Sequence, residues 1–297
     1  MQTPQYDDAK ILLFDRRRTV RKQTRSVLNV LGFKTFQEFQ DLEAVRLALS
    51  GHRVDVAVLN LDAVDCGVLR LIRDLRARRF GLDPFVPILL TTWDAKLHSL
   101  RAVLESGADD VLLYPFSTTQ MGQRINNLVQ ERKPFVITED YFGPDRRAST
   151  LLRDDATSVV VPNALRAQVL GEKEAAPSSE RIENTFGELR RLKLRNLARR
   201  IWYLANKLKE AFSDPELPSR YKRELVTLRK SIILYHKTLK TGDGEDKRTL
   251  CDSLTRVLGG MFGKPPSEKS FELLEQSALA LRVASKLDHE PGDGDDV

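Results

Sequence analysis

The segment DVAVLNLDAVDCG (55–67) ends an apolar run at side chains that could do chemistry. Asn60 carries a neutral amide, and Asp62, two residues later, carries a carboxylate. A carboxylate can accept a phosphoryl group or hold a divalent cation. An amide is a poor nucleophile and cannot form an acyl phosphate. The chemistry available at this strand end therefore depends on which of the two side chains takes the reactive position.

Apolar runs alternate with helical patterns in residues 1–131. The runs predicted as strands are KILLF (10–14), KTFQEF (34–39), VDVAVLNL (54–61), VPILLTT (86–92) and DDVLLY (109–114). Each is followed by a segment whose apolar residues recur at helical spacing, and the links between them are short. This order predicts an α/β domain with a doubly wound, five-stranded parallel sheet covered by helices on both faces.

The pattern changes after residue 131. Residues 132–180 mix Pro, Gly, Ser and charge with little periodicity, which predicts an extended segment and a mobile linker. Residues 181–288 read as an all-α bundle of about four helices, with a buried seam. The seam positions of one helix are Tyr221, Leu225, Leu228, Ile232, Tyr235 and Leu239. Residues 289–297 are predicted to be an acidic, disordered tail.

Composition excludes several classes of protein. No apolar run approaches the roughly 20 residues of a membrane helix, and the polar start MQTPQYDDAK is unlike a signal peptide. Cys66 and Cys251 lie far apart and match no metal spacing. A cytoplasmic protein without membrane contact is expected. Residues 183–250 hold 17 Lys and Arg against 9 Asp and Glu, so a nucleic-acid-binding regulator using these basic helices is an alternative, although no recognition-helix pattern is present.

Residues 9–130 resemble the receiver domain of bacterial two-component response regulators. The most specific motif is SGADDVLLYPFS (106–117), and PILLTT at the fourth strand fits as well. The resemblance implies a flavodoxin-like fold with a phosphorylation site at the carboxyl ends of the strands. YFGPDRR (141–147) also resembles a segment that follows receivers in some alphaproteobacterial regulators, and we interpret it as a structured exit that packs on the receiver through Phe135 and Tyr141.

The resemblance implies a degenerate phosphorylation site. An acidic pair that holds Mg²⁺ is replaced by Asp15 and Arg16, whose cation would repel the metal and could take its place. The phosphoacceptor aspartate is replaced by Asn60. Thr92 keeps the hydroxyl position, but Trp93 stands where a small residue is usual and would crowd the donor's entrance. Tyr114 stands where a lysine precedes the proline, here Pro115, and the family pattern suggests a cis peptide bond between the two. Val111 stands where an aromatic residue is common.

These departures predict a non-enzymatic signalling protein whose receiver-like domain docks other proteins and cannot accept phosphate. No cofactor is expected. Asp15 and Asp62 are only weak candidates for a metal, because Arg16 disfavours Mg²⁺. The predicted partners are other signalling proteins, with a homodimer through the helical domain or residues 95–128 as an option. Nucleic acid is not favoured.

Two other side chains could carry a phosphoryl group. Asp62 could accept phosphate in a phosphorelay, but the distance to Gly67 fits Asn60 better as the aligned position. His236 in a helical bundle suggests phosphotransfer, yet the spacing to Lys237 and Gly242 does not match that pattern. Asp62 is therefore interpreted as a solvated loop acid, and His236 as a surface residue.

Overall fold

The computed structural model describes residues 5–62, 66–94, 97–138, 141–146, 158–212, 218–263 and 266–287. The chain divides into two compact units, Met1–Leu189 and Arg190–Val297. The predicted acidic tail (289–297) and residues 147–157 of the predicted linker lie outside the described residues.

The first unit contains the predicted five-stranded parallel sheet. Its strands are β1 (Lys10–Phe14), β2 (Thr35–Phe39), β3 (Val56–Leu61), β4 (Ile88–Thr92) and β5 (Asp110–Leu113). Their order across the sheet is β2-β1-β3-β4-β5. The chain order therefore reverses between β1 and β3, and in such open sheets ligands bind at the carboxyl ends of the strands beside this point.

Helices cover both faces of this sheet. They are α1 (Arg18–Val30), α2 (Leu42–Gly51), α3 (Cys66–Arg76), α4 (Leu97–Leu104) and α5 (Thr118–Gln130). Alternate residues of each strand enter opposite cores because side chains in a strand point to alternate faces. Leu12 packs in one core with α2 and α3, whereas Ile11 packs in the other with α1 and α5. The α/β prediction is confirmed.

The predicted linker between residues 132 and 180 is wrong for the residues that the structure describes. This segment forms a hairpin of β6 (Phe135–Ile137) and β7 (Phe142–Pro144), then α6 (Ala164–Leu170) and a short 3-10 helix (Lys173–Ala175). Leu165 and Val169 of α6 complete the core against α5. The division between units accordingly falls after Leu189 and not near residue 181. Short elements with only a few buried residues each leave no periodic pattern in a sequence.

The YFGPDRR segment packs on the SGADD turn, as interpreted from the sequence. A Cβ added to Gly143 would lie 2.7 Å from the Gly107 Cα, so only two glycines allow this approach. The Arg146 Nη2 atom donates a hydrogen bond of 2.6 Å to the Ala108 carbonyl oxygen. Phe135 is fully buried, and the Tyr141 hydroxyl donates to the Pro144 carbonyl oxygen at 2.8 Å.

The second unit is the predicted helical bundle. Helix α7 (Ser179–Phe212) supplies its residues from Arg190 onward, followed by α8 (Pro218–Thr238), α9 (Glu245–Gly263) and α10 (Glu268–Leu287). One apolar core unites these helices. The predicted seam, which runs along α8 to Leu239 just after it, is buried at every position except Tyr221, which is partly buried against the same core. The bundle prediction is confirmed.

Candidate functional site

The carboxyl ends of the strands bring together the residues that the sequence singled out. Asp15 follows β1, Asn60 is the next-to-last residue of β3, Thr92 ends β4 and Tyr114 follows β5. Asn60 lies opposite Thr91 in the register between β3 and β4. Parallel strands end at one edge of a sheet, so residues distant in sequence form one site.

Asp15 is the one buried carboxylate of the strand ends just named. Its Oδ1 atom accepts a hydrogen bond of 2.8 Å from the Arg17 backbone NH. Its Oδ2 atom is buried and has no hydrogen-bond partner among the described residues. Burial raises the pKa of the Asp15 carboxyl above its usual value, and contacts with Arg17 act in the opposite direction. This carboxylate therefore depends on the adjacent arginine for its charge balance.

A cation that contacts the strand-end side chains is Arg17, the residue that follows the predicted Arg16. The Arg17 Nη2 atom lies 3.2 Å from Asp62 Oδ1 and donates to Asn60 Oδ1 at 3.4 Å. The Arg17 Nε atom lies 3.5 Å from Asp15 Oδ1. Arg17 is the N-cap residue of α1 and its backbone is extended, and its side chain is 42% exposed although it contacts the strand-end residues.

The Asn60 side-chain amide forms hydrogen bonds through both its nitrogen and its oxygen. Its Nδ2 atom donates to the Thr91 hydroxyl and carbonyl oxygens at 3.3 and 3.4 Å. Its Oδ1 atom accepts from Arg17, so the amide orientation is fixed by a donor on one side and acceptors on the other. The Asn60 side chain is thus buried, neutral and committed to internal hydrogen bonds.

Tyr114, at the position where the resemblance implies a lysine, lies in an aromatic stack. The Tyr114 ring stacks on Trp93 with 4.7 Å between centroids and an angle of 9°. Its hydroxyl shares a hydrogen bond of 2.8 Å with Thr24 Oγ1, and its ring contacts Phe116 with 4.5 Å between centroids. Burial raises the pKa of the Tyr114 phenol above its usual value, so this residue stays neutral and brings no positive charge. The peptide bond Tyr114-Pro115 is cis, as suggested from the sequence.

Trp93 extends this stack toward the cation. Trp93 is 51% exposed, and its ring centroid lies 5.7 Å from the Arg17 guanidinium carbon. Thr92 is buried, and its hydroxyl accepts a hydrogen bond of 3.2 Å from the Asp94 backbone NH. Sequence reasoning placed both residues at the site but missed the stack of Arg17, Trp93 and Tyr114. The coincidence of two aromatic substitutions on neighbouring strands was the signal for it.

The alternative phosphorylation positions differ in their surroundings. Asp62 is 41% exposed and is bound by Arg17, so it is not a free loop acid. His236 is exposed in the last turn of α8. Among the described residues, no group of three His, Cys, Asp or Glu side chains could hold a metal ion. No helix in that part of the chain is long and apolar enough to cross a membrane.

Comparison with known proteins agrees with this fold. Residues 11–126 match the response regulator receiver domain. The chain is 31% identical over 143 residues to response regulator MprA of a Mycobacterium species (strain KMS), covering 48% of this chain and 57% of that protein. It is 30% identical over 125 residues to MprA of Mycobacterium tuberculosis (strain ATCC 25618 / H37Rv), covering 42% and 52% respectively. The chain thus spans little more than half the length of these relatives.

Among solved structures, the signal receiver domain of a histidine kinase from Clostridium thermocellum aligns with a TM-score of 0.37 and 17% identity. This alignment covers 41% of this chain and 98% of that chain. Residues 11–126 of the present chain are a response regulator receiver domain. A receiver domain is consistent with a protein of two-component signalling, a class that is generally non-enzymatic and that interacts with other signalling proteins such as kinases.

The Mg²⁺ ion that the receiver family implies does not fit these residues. Magnesium sites in proteins use carboxylates with open coordination positions. Here the Asp15 Oδ2 atom has no hydrogen-bond partner among the described residues. The Arg17 guanidinium lies against Asp15 Oδ1 and Asp62 Oδ1, and the residue next to Asp15 is a second arginine, so a divalent cation at Asp15 would meet positive charge in place of a second carboxylate. The positive charge that a metal would bring is already present as a side chain.

Proposed function

We propose that this receiver domain does not accept a phosphoryl group and serves as a phosphorylation-independent docking module in signal transduction. The observation that carries the proposal is the Arg17 guanidinium, which lies between the side chains of Asp15, Asn60 and Asp62. A metal ion that bridged Asp15 and Asp62 would have to displace this guanidinium. The protein then needs no cofactor and acts by binding.

Phosphoryl transfer needs a nucleophile and a cation that stabilises the transferred group, and this site lacks both. Asn60 cannot be the nucleophile, because an amide forms no acyl phosphate. Without a metal or a lysine, the charge that develops on the transferred phosphoryl oxygens has no dedicated stabilising cation, since Arg17 is committed to carboxylates. Asp62 is a poor substitute because the same arginine neutralises it and because it stands beyond the end of β3.

The docking surface we propose is centred on the aromatic stack. Trp93 and Leu113 are 51% and 39% exposed, and Tyr114 and Phe116 are partly exposed beside them. Trp, Tyr and Arg dominate the binding energy of protein interfaces, and large apolar residues that cluster on a monomer surface mark interaction sites. Other signalling proteins are the partners that fit a receiver domain of this kind.

Partner capture from the native cell tests the docking role. Wild-type protein should retain the same partner before and after incubation with acetyl phosphate and Mg²⁺. Trp93→Ala should reduce retention by about tenfold, the loss expected for one exposed anchor residue. Leu47→Ala is the matched control, because Leu47 is 66% exposed but lies on α2 away from the stack. Retention that depends on the phosphodonor would refute the proposal.

A further inference from the structure

The outer face of α1 carries positive charge that the receiver site does not use. Residues 16–33 contain six Arg and Lys residues, all within the first ten positions, and no Asp or Glu. Arg18 and Lys22 are four residues apart, so they are neighbours on one face of the helix. Both are exposed, whereas Thr24 and Leu28 on the other side of α1 are buried.

The carboxylates beside this helix leave its outer face cationic. Asp15, Glu38 and Asp62 form ion pairs with neighbouring arginines, but the Asp15 and Glu38 side chains are only 2% and 23% exposed. The Arg18 and Lys22 side chains form no ion pair or hydrogen bond with any described residue. Two unpaired cations about 6 Å apart along the helix axis therefore face the solvent.

This pair of cations begins beside the aromatic stack. Arg18 directly follows Arg17, whose guanidinium carbon lies 5.7 Å from the ring centroid of Trp93. The Trp93 side chain is itself half exposed. An exposed aromatic anchor with cations leading away from it complements a segment that carries one apolar residue next to several acidic ones.

We propose that the outer face of α1 binds an acidic segment of a partner protein, whose apolar residue packs on Trp93 and whose carboxylates pair with Arg18 and Lys22. The inference rests on the docking role proposed above and adds the chemistry of the partner. Complementary charge speeds association and disfavours partners of the wrong sign, so this face selects acidic partners. A protein segment fits better than nucleic acid, because two unpaired cations meet only one or two phosphates and nucleic-acid binding depends on many.

The fluorescence of Trp93 in the full-length chain tests the proposal. The sequence contains two tryptophans, so a Trp202→Phe background leaves Trp93 as the only one. Trp202 is only partly buried against the bundle core, and phenylalanine keeps an aromatic ring there. The basic helices of the second unit then give no signal if they bind the probe. The probe is a synthetic peptide with one leucine beside a run of glutamates.

The charge dependence of the peptide affinity decides the outcome. Arg18→Gln with Lys22→Gln should weaken binding about fivefold, the loss expected for two exposed ion pairs. Lys133→Gln with Lys173→Gln is the matched control, because it removes the same charge from two exposed positions. Lys133 follows the end of α5, which lies at the opposite edge of the sheet from the start of α1, so the control should bind like wild type.

The possible failures can be told apart. Equal weakening in both double variants, or in neither, would overturn the acidic partner while keeping Trp93 as a docking residue. A peptide that leaves the Trp93 emission unchanged at saturation of the titration would count against the docking surface itself as well. Single-stranded oligothymidylate of the same net charge is titrated in parallel, and tighter binding of this probe than of the peptide would assign the face to nucleic acid.

Discussion

Arg17 and Asn60 together give the sharpest prediction about the receiver site. Asn60→Asp returns the missing nucleophile, but it also places a third carboxylate against the Arg17 guanidinium. The Arg17 Nη2 atom lies 3.4 Å from the Asn60 Oδ1 atom that a carboxylate oxygen would replace. At that distance a charge pair is worth about 1 kcal/mol in a water-like medium and about 5 kcal/mol at an effective dielectric constant of 20. The single substitution therefore strengthens the internal ion pairs and should not restore phosphorylation.

Removing the guanidinium should change the result. Combining Asn60→Asp with Arg17→Ala leaves the carboxylates of Asp15 and Asp62, and the carboxylate introduced at position 60, without their internal cation. Because the Arg17 side chain is 42% exposed, its repulsion of a metal is partly screened, and we expect its loss to raise divalent-metal affinity about tenfold. Mn²⁺ titration followed by Trp93 fluorescence measures this affinity, since Trp93 lies beside the site.

The role of Arg17 predicts the order of metal affinities among these proteins. Metal affinity should be lowest in wild type, little changed in Asn60→Asp, and highest in the double variant. Adding Tyr114→Lys should then allow acetyl phosphate to label the protein. Arg18→Ala serves as the matched control for Arg17→Ala, because it removes the next cation along the chain, which is exposed. Robust labelling of Asn60→Asp alone would refute the role given to Arg17.

Three further predictions concern stability and binding. Burial raises the pKa of the Asp83 carboxyl to about 6. Its ionisation therefore destabilises the fold as the pH rises from about 4 to above 6. Asp83→Asn should raise Tm at pH 7.5 but not at pH 4. Leu228 and Ile232 are 0% and 2% exposed, so Leu228→Ala with Ile232→Ala should lower the free energy of unfolding of the helical unit by about 4–10 kcal/mol. In circular dichroism the melting transition of the helical unit should disappear, while the receiver still melts. A melt unchanged from wild type would contradict this. The basic residues of 183–250 should give DNA binding that is lost at physiological salt, and sequence-selective binding under those conditions would favour the nucleic-acid alternative.

The strands and the residues that end them could be predicted from the sequence for a physical reason. Central parallel strands such as β3 are buried on both faces and therefore appear as continuous apolar runs. Such a run also fixes which residue stands at its carboxyl end. Asp15, Asn60, Thr92 and Tyr114 could be assigned to one site because the resemblance to receivers implies that all these strands end at one edge of a parallel sheet.

The identity of the cation could not be predicted in the same way. Arg16, Arg17 and Arg18 are consecutive and chemically equal, so the sequence alone does not show that the Arg17 side chain contacts Asp15 and Asp62. The packing of YFGPDRR on the receiver was predicted, but the strands and helices that the structure describes between residues 132 and 180 were not, because each is short and buries only a few side chains. The bridge between Phe135 and Val159, and the approach of Gly143 to Gly107, have no periodic signal in the sequence.

The most direct test of the central claim is the mass of the intact wild-type protein after incubation with acetyl phosphate and Mg²⁺. The arrangement of Arg17, Asn60 and Tyr114 predicts no phosphoryl adduct, while an active receiver in the same tube serves as the positive control. The same incubation of the Asp62→Asn variant tests the alternative acceptor. A stoichiometric adduct in wild type that disappears in Asp62→Asn would contradict the claim and would make this protein a phosphorylated regulator.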